Sequence, residues 1–319
     1  MPNTDIKINY YLRPQKSIER KMFCHLFREL NSIFNLKGYR YIGMGAKYFV
    51  DFMVFHREFG FNKMISIEAD KENKEKYEFN KPLNCIEMEY SYSSEALSQI
   101  DWVGYKNNII WMDYDEPLKE FMLEDIRTII SKSKSGSMFF FSYNNLLPKH
   151  VKDRLKAFKD NLGGYCPPNV NNQDLTDKNK DKYIKQIIDN VIDNCINIIN
   201  NSSNENDKLF YEQLVYFLYR DGAEMITIGG ILLNKQDKEK FDMLNLSSSL
   251  DFVVLNRTAP PYSLVIPPLT YKEINALLQQ LPCTDITKIK LPGLQEEQLR
   301  QIAKLYRYYP FYMEAASFN

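Results

Sequence analysis

The sequence predicts a doubly wound α/β fold, a mostly parallel sheet covered by helices on both faces. Three observations carry that prediction. Residues 39–42 (YRYI) read as a strand, Gly43-Met44-Gly45 as a turn, 49–59 as a helix and 64–67 (MISI) as a second strand, which is the order of a parallel crossover. Two more compact apolar runs, 108–112 (NIIWM) and 138–141 (MFFF), alternate with stretches of helical spacing, as strands buried on both faces do. Polar residues follow these runs directly, at Glu68, Asp113-Tyr114-Asp115 and Ser142-Tyr143-Asn144-Asn145, and in open parallel sheets ligands lie beyond the carboxyl ends of the strands.

The remaining elements follow in chain order. Residues 17–30 place Ile18, Met22, Phe23, Leu26, Phe27 and Leu30 on one helical face. The preceding charges Arg13 and Lys16, with Glu19 and Arg20, are expected to form a solvated helix start. Residues 84–88 read as a third strand, SYSSEAL as the start of a helix, and 118–130 as a helix after the NIIWM strand. From about 162 to 208 the composition turns to Asn, Asp and Lys, with Ile and Val at helical spacing over 183–199; this reads as a polar insertion holding one helix. A helix is expected over 210–219, and 225–233 (MITIGGILL) with 250–255 (LDFVVL) as a last, antiparallel pair of strands. Gly229-Gly230 inside a strand indicates a bulge or a close backbone contact. Thr270 with Glu273 is a capping box opening a helix, and 295–306 is a further helix leading into RYYPFY. The resulting division is a helical cap (1–37), a cofactor-binding domain (38–257) and a helical extension (258–319).

With 319 residues and 44% hydrophobic residues, the chain can bury a sizeable core. Lys+Arg and Asp+Glu balance at 41 each, so no overall field favours nucleic acid or an anionic membrane. Five cysteines without CxxC spacing and three histidines argue against a disulfide framework or a zinc site and fit a reducing compartment. No run approaches the ~18 apolar residues of a membrane span, and MPNTDIKINYYLRPQK lacks a signal peptide's apolar stretch. A cytoplasmic location is the expectation.

The glycine turn lets backbone approach a ligand closely. Tyr48 stands where a dinucleotide fingerprint has its third glycine, and no GxxxxGK[ST] occurs. At these residues the chain resembles the class I S-adenosylmethionine-dependent methyltransferases, which are Rossmann-like. Strand–GMGA–helix is similar to their first motif, ISIEAD to the second strand with its ribose-binding acid, and WMDYDEPL to the fourth strand. The resemblance implies S-adenosylmethionine as cofactor, with Gly43, Gly45, Ala46 and Glu68 around its amino acid and ribose parts. Asp113 would then sit beside its methionine moiety or the transferring methyl. Asp113 or Asp115 is a candidate base or orienting acceptor, Tyr114 a candidate wall of the methyl channel, and Asn144 a candidate substrate ligand or loop cap. Ser142 and Tyr143 replace the acid of the Asp-Asn pair that completes the magnesium site in metal-dependent O-methyltransferases, so no metal is expected. DYDEPL is only loosely like an amine-holding NPPY motif, which favours O-methylation of a small-molecule acceptor. Two alternatives stay open: a catalytically silent nucleoside-binding partner subunit, with the aromatic tail 306–312 as a candidate oligomer interface, and a nucleic-acid methyltransferase, which charge neutrality disfavours.

Overall fold

The computed structural model describes residues 13–105 and 107–310. The first twelve residues of the expected N-terminal cap and the last two aromatics of the tail, Phe311 and Tyr312, lie outside the described residues.

Apolar runs that cannot be satisfied at a surface assemble into one sheet. Its strands are β1 (Arg40–Gly43), β2 (Met64–Ile67), β3 (Ile86–Glu89), β4 (Asn108–Pro117), β5 (Met138–Asn144), β6 (Phe210–Asp221), β7 (Ala223–Leu233) and the short β8 (Tyr262–Ser263). They are ordered β3-β2-β1-β4-β5-β7-β6-β8. β1 to β5 pair in parallel, and β7 runs antiparallel between β5 and β6. The chain moves outward from β1 in one direction and returns to start β4 on the other side. The β1/β4 boundary is therefore the topological switch point, where such sheets open a crevice for ligands.

Alternation along each strand sends side chains to two cores. On one face Tyr41, Ile109, Trp111, Phe140 and Phe217 pack with α1 (Pro14–Leu30) and α2 (Val50–Phe59) and with C-terminal residues such as Leu299 and Ile302. Phe23 of α1 lies 4.6 Å from the Trp111 ring and 4.7 Å from Phe140. Between β2 and β3 runs α3 (Lys74–Asn80). On the other face Ile42, Ile65, Ile110, Met112 and Phe139 meet α4 (Ser93–Gln99), α5 (Glu120–Lys132) and, after α6 (Val151–Leu162), α7 (Lys180–Asn201). The Ile and Val stripe of α7 expected within a polar insertion is thus part of the same core as α5 and β4.

Three expectations change. Residues 210–219 form strand β6, not a helix: FYEQLVYFLY is apolar on both of its faces, so helical spacing does not distinguish it from a doubly buried strand. Its antiparallel partner is β7, joined through Gly222 at φ 103°. Residues 250–255 are accordingly not a strand. After α8 (Lys235–Met243) and the short α9 (Leu246–Ser249) they lie as a strap along β6, where Val254 N–H donates to Leu214 O at 2.9 Å and Gln213 Nε2 donates to Val254 O at 2.6 Å. Leu214 is the extra residue of a bulge in β6 opposite Gly229 and Gly230. The glycine pair is required there, because a Cβ on Gly229 would meet the Phe139 carbonyl and one on Gly230 the Glu212 carbonyl. Finally, β4 does not stop at Asp113 but continues to Pro117, with an irregular register against β5 between those two residues. In the C-terminal part, Thr270 and Glu273 form the expected capping box on α10 (Tyr271–Leu278), and α11 spans Glu296–Leu305.

Candidate active site at the carboxyl edge of the sheet

The loop after β1 is shaped by close packing. Gly45 N–H donates to Ser66 Oγ of β2 at 3.0 Å, and Phe49 N–H returns to Gly45 O at 2.8 Å. A Cβ on Gly45 would stand 2.5 Å from Phe49 Cδ1 and 2.7 Å from Ser66 Oγ, so no larger residue fits. Ala46 and Phe49 take left-handed backbone, at φ 45° and 50°, and α2 begins only at Val50. Beside this loop the half-buried Glu68 closes β2. Its N–H donates to Glu89 O, and its Oε1 accepts Asp70 N–H at 3.0 Å.

Gly43 is level with Trp111 on β4, which puts Asp113 just beyond it at the switch point. Asp113 is on the same sheet face as Trp111, and Lys16 Nζ of α1 donates to its Oδ1 at 2.8 Å. Lys16 Nζ also lies 2.8 Å from Glu19 Oε2, donates to Tyr219 OH at 3.1 Å and stands 4.3 Å over the Trp111 ring. Lys16 and Glu19 are fully buried, whereas the Asp113 side chain is 17% exposed. One turn on, Arg20 pairs with Asp51 of α2, both buried.

The charges of this cluster set one another. Burial acts to lower the Lys16 ammonium, but Asp113 and Glu19 outweigh it and hold it charged, above its ordinary value. Burial acts to raise the Asp113 carboxyl, but Lys16, Arg13 and Arg20 outweigh it and keep it below the usual carboxylate range. For Glu19 burial prevails over Lys16, and its carboxyl is pushed up.

The start of α1 is fixed to the same edge by a cap from far along the chain. Asp221, the last residue of β6, accepts Lys16 N–H at 2.8 Å and Gln15 N–H at 3.3 Å. Gln15 in turn exchanges hydrogen bonds with Arg220, through Nε2 to O at 3.1 Å and N to Oε1 at 2.6 Å.

Of the residues expected at the site, Gly43, Gly45, Ala46, Glu68 and Asp113 come together around the carboxyl ends of β1, β2 and β4. Tyr114 does not join them. Strand alternation turns it to the opposite core, where its hydroxyl donates to Asp125 Oδ2 of α5 at 2.7 Å and Ser93 and Ser94 hold the same carboxylate. A channel wall is therefore not its place. Asp115 is exposed on the outer stretch of β4. Asn144 caps its own loop, accepting Leu146 N–H at 2.9 Å. The charged cluster Arg13, Lys16, Glu19 and Arg20 is not a solvated helix start, since the last three are buried. The signal was in the spacing. Lys16, Glu19, Arg20, Phe23 and Phe27 share one helical stripe, so the charges lie in line with the apolar face. Tyr219, Asp221 and Asp51 gave no such signal.

His25 Nδ1 meets Tyr308 OH at 2.8 Å and His56 Nδ1 meets Phe61 O at 2.7 Å, both as packed histidines. His150 is exposed at the start of α6. Among the described residues no group of His, Cys, Asp and Glu could hold a metal ion, and no helix is long and apolar enough to cross a membrane. A cavity of about 310 Å³ lined by Arg40, Lys63, Glu87, Asp101 and Tyr105 lies toward the amino end of β1, away from this edge.

The strand order, the reversed β7 and the glycine loop facing an acid at the tip of β2 define a Rossmann-like, class I methyltransferase fold. A family model described as "Putative O-methyltransferase" matches residues 8–317, and the chain belongs to that family. It is a methyltransferase whose cofactor is S-adenosylmethionine. The residues fit that group. Gly45 leaves bare backbone in the loop, Glu68 offers a half-buried carboxylate beside it, and Asp113 is held as an anion at the switch point. Among solved structures, the chain is similar to the O-methyltransferase from Bacillus cereus in complex with SAH (12% identity over 72% of this chain and 86% of that one, TM-score 0.40). It is also similar to the O-methyltransferase TomG from Streptomyces achromogenes in complex with SAM (12%, 66% and 78%, TM-score 0.36). A third is Trm1 from Pyrococcus horikoshii with S-adenosyl-L-methionine (12%, 75% and 60%, TM-score 0.45). These scores are low, and it is the strand order and the family match that define the fold. No functionally curated protein matches the chain.

Proposed function

We propose that this methyltransferase acts on a hydroxyl oxygen of a small-molecule acceptor at the β1/β4 crevice. The observation that carries this reading is the cover of α1 over the carboxyl edge, where Lys16 and Arg20 are buried and paired inward onto Asp113 and Asp51. A nucleic-acid strand needs an open basic track, and here two cations of this edge, Lys16 and Arg20, are buried against carboxylates. The family description, an O-methyltransferase, supports the oxygen acceptor.

Gly43, Gly45 and Ala46 would hold the cofactor's amino acid part, and Glu68 its ribose. When bound, S-adenosylmethionine supplies an already activated methyl on a sulfonium, so the protein's task is alignment. Asp113 is suited to it. A carboxylate held below its usual range is a poor proton acceptor near neutrality but a fixed anion that orients a hydroxyl or faces a positive centre. Its Oδ1 is engaged by Lys16, which leaves Oδ2 for the ligand.

The test is a transfer screen with isotope-labelled S-adenosylmethionine against phenolic, catecholic and carboxylic small molecules, beside transfer RNA and ribosomal RNA. The expected result is label in a small-molecule ether or ester, lost in Glu68→Ala together with cofactor binding. Label in RNA alone, with salt-sensitive RNA binding, overturns the acceptor class.

A further inference from the structure

Lysine, glutamate and arginine are seldom fully buried, and desolvating each ion costs several kcal/mol. Here Lys16 and Glu19 are completely buried and Arg20 nearly so, within two turns of one helix. A helix that needed only to cover the sheet would carry apolar residues there, as it does one turn later at Phe23 and Phe27. Arg20 pairs with Asp51, while Glu19 and Lys16 lead to the strand-tip carboxylate of Asp113. Lys16 bonds Oδ1 of Asp113, and Tyr219 and Trp111 hold the ammonium from the sheet side. Glu19 balances the lysine from behind, and neither of its oxygens receives a well-aligned hydrogen bond. The partly exposed end of the cluster is Asp113 itself.

We propose that Lys16, balanced by Glu19, is a positioning residue that fixes the Asp113 carboxylate as a permanent anion facing the cofactor's cationic end. The inference rests on the reading of Asp113 as a cofactor-facing group. Lys16 touches neither reacting atom; it acts through Asp113. The other titratable and charged groups around that carboxylate are Arg13 just before α1, Arg20 from α1, Tyr219 from β6 and Tyr41 from β1, with Asp51 of α2 beside Arg20. Removing the nearest cation leaves burial as the leading influence on Asp113. An opposite charge at this range is worth about 1–3 pH units to a carboxylate.

The experiment is calorimetric binding of S-adenosylmethionine from about pH 4, the range of an ordinary carboxylate's titration, to about pH 8. It compares wild type, Lys16→Arg, Lys16→Met, and the charge-balanced double variant Lys16→Met/Glu19→Gln, with melting temperatures to confirm folding. Wild type and Lys16→Arg should bind with little pH dependence. The double variant should bind about tenfold more weakly at neutral pH. It should also lose affinity as pH falls, with a midpoint raised by about 1–3 units. Adding Asp113→Asn to the double variant should abolish that new pH dependence. If the double variant's profile superimposes on wild type, or if its dependence survives Asp113→Asn, the positioning role is wrong while the cofactor-facing reading stands. If wild type binds and Asp113→Asn alone changes nothing, that reading fails and takes the proposal with it.

Discussion

Gly45→Ala puts the close packing of the cofactor loop to a quantitative test. The new methyl carbon would stand 2.5 Å from Phe49 Cδ1 and 2.7 Å from Ser66 Oγ. Neither neighbour yields readily: Phe49 and Ser66 are both fully buried, and Ser66 Oγ already accepts Gly45 N–H. Overpacking of this kind costs about 1–3 kcal/mol, offset by the roughly 0.4–1 kcal/mol that a stiffer unfolded chain contributes. A net loss of ~0.5–2.5 kcal/mol corresponds to a fall in Tm of roughly 1–10 °C for a domain of this size. The same displacement moves the loop that approaches the ligand, so S-adenosylmethionine affinity should drop about tenfold or more. Gly38→Ala is the matched control, since a Cβ there meets nothing within 4 Å, and it should leave both quantities unchanged or raise Tm slightly. Differential scanning fluorimetry and calorimetric titration read both effects. A Gly45→Ala protein with wild-type Tm and affinity would refute the packing argument.

Two further outcomes follow from the same geometry. Tyr114→Phe should cost about 1–2 kcal/mol of stability, because it removes the hydroxyl bond to buried Asp125, and should leave cofactor affinity unchanged; a large loss of affinity at constant Tm would restore Tyr114 to the site. The His25 imidazole is held below its ordinary value by burial and by Arg307, so the unfolded chain takes up its proton first as pH falls. Stability contributed there is present above about pH 6.5 and declines as the medium is acidified through that value and on through the lowered folded value. His25→Gln should flatten this part of a melting-temperature profile between roughly pH 7 and pH 5.

The parallel half of the sheet was legible because each strand is short, apolar and followed by a polar tip, and because the helices between carry clear amphipathic stripes. Residues 64–67 are β2 at both ends. The C-terminal half was misread for a physical reason. β6 is buried on both faces, which erases the alternation that marks a strand, and 250–255 has strand-like composition but spends its hydrogen bonds on a bulge. In the site, the glycines and the strand-tip acids were readable because backbone geometry dictates them. Tyr114 was misplaced because the strand was expected to end at Asp113, and once β4 continues the next side chain must turn to the other face. The partners of Asp113 were hidden for another reason. Lys16 reaches it from 97 residues away, and Tyr219, which holds Lys16 in turn, lies 203 residues from that lysine, so only the fold brings them together.

The cap that Asp221 places on α1 spans 205 residues between donor and acceptor. α1 precedes β6 by the whole parallel half of the sheet, and the acceptor of its first N–H groups, Asp221, exists only once β6 has been made. Until then Lys16, Glu19 and Arg20 remain in water, where they are comfortable, and the nascent crossover unit is left without its cover. Assembly of this edge therefore waits on a contact of very long sequence separation. A chain lacking Asp221 would carry the glycine loop and Glu68 but not the acceptor that anchors the start of α1 beside Asp113.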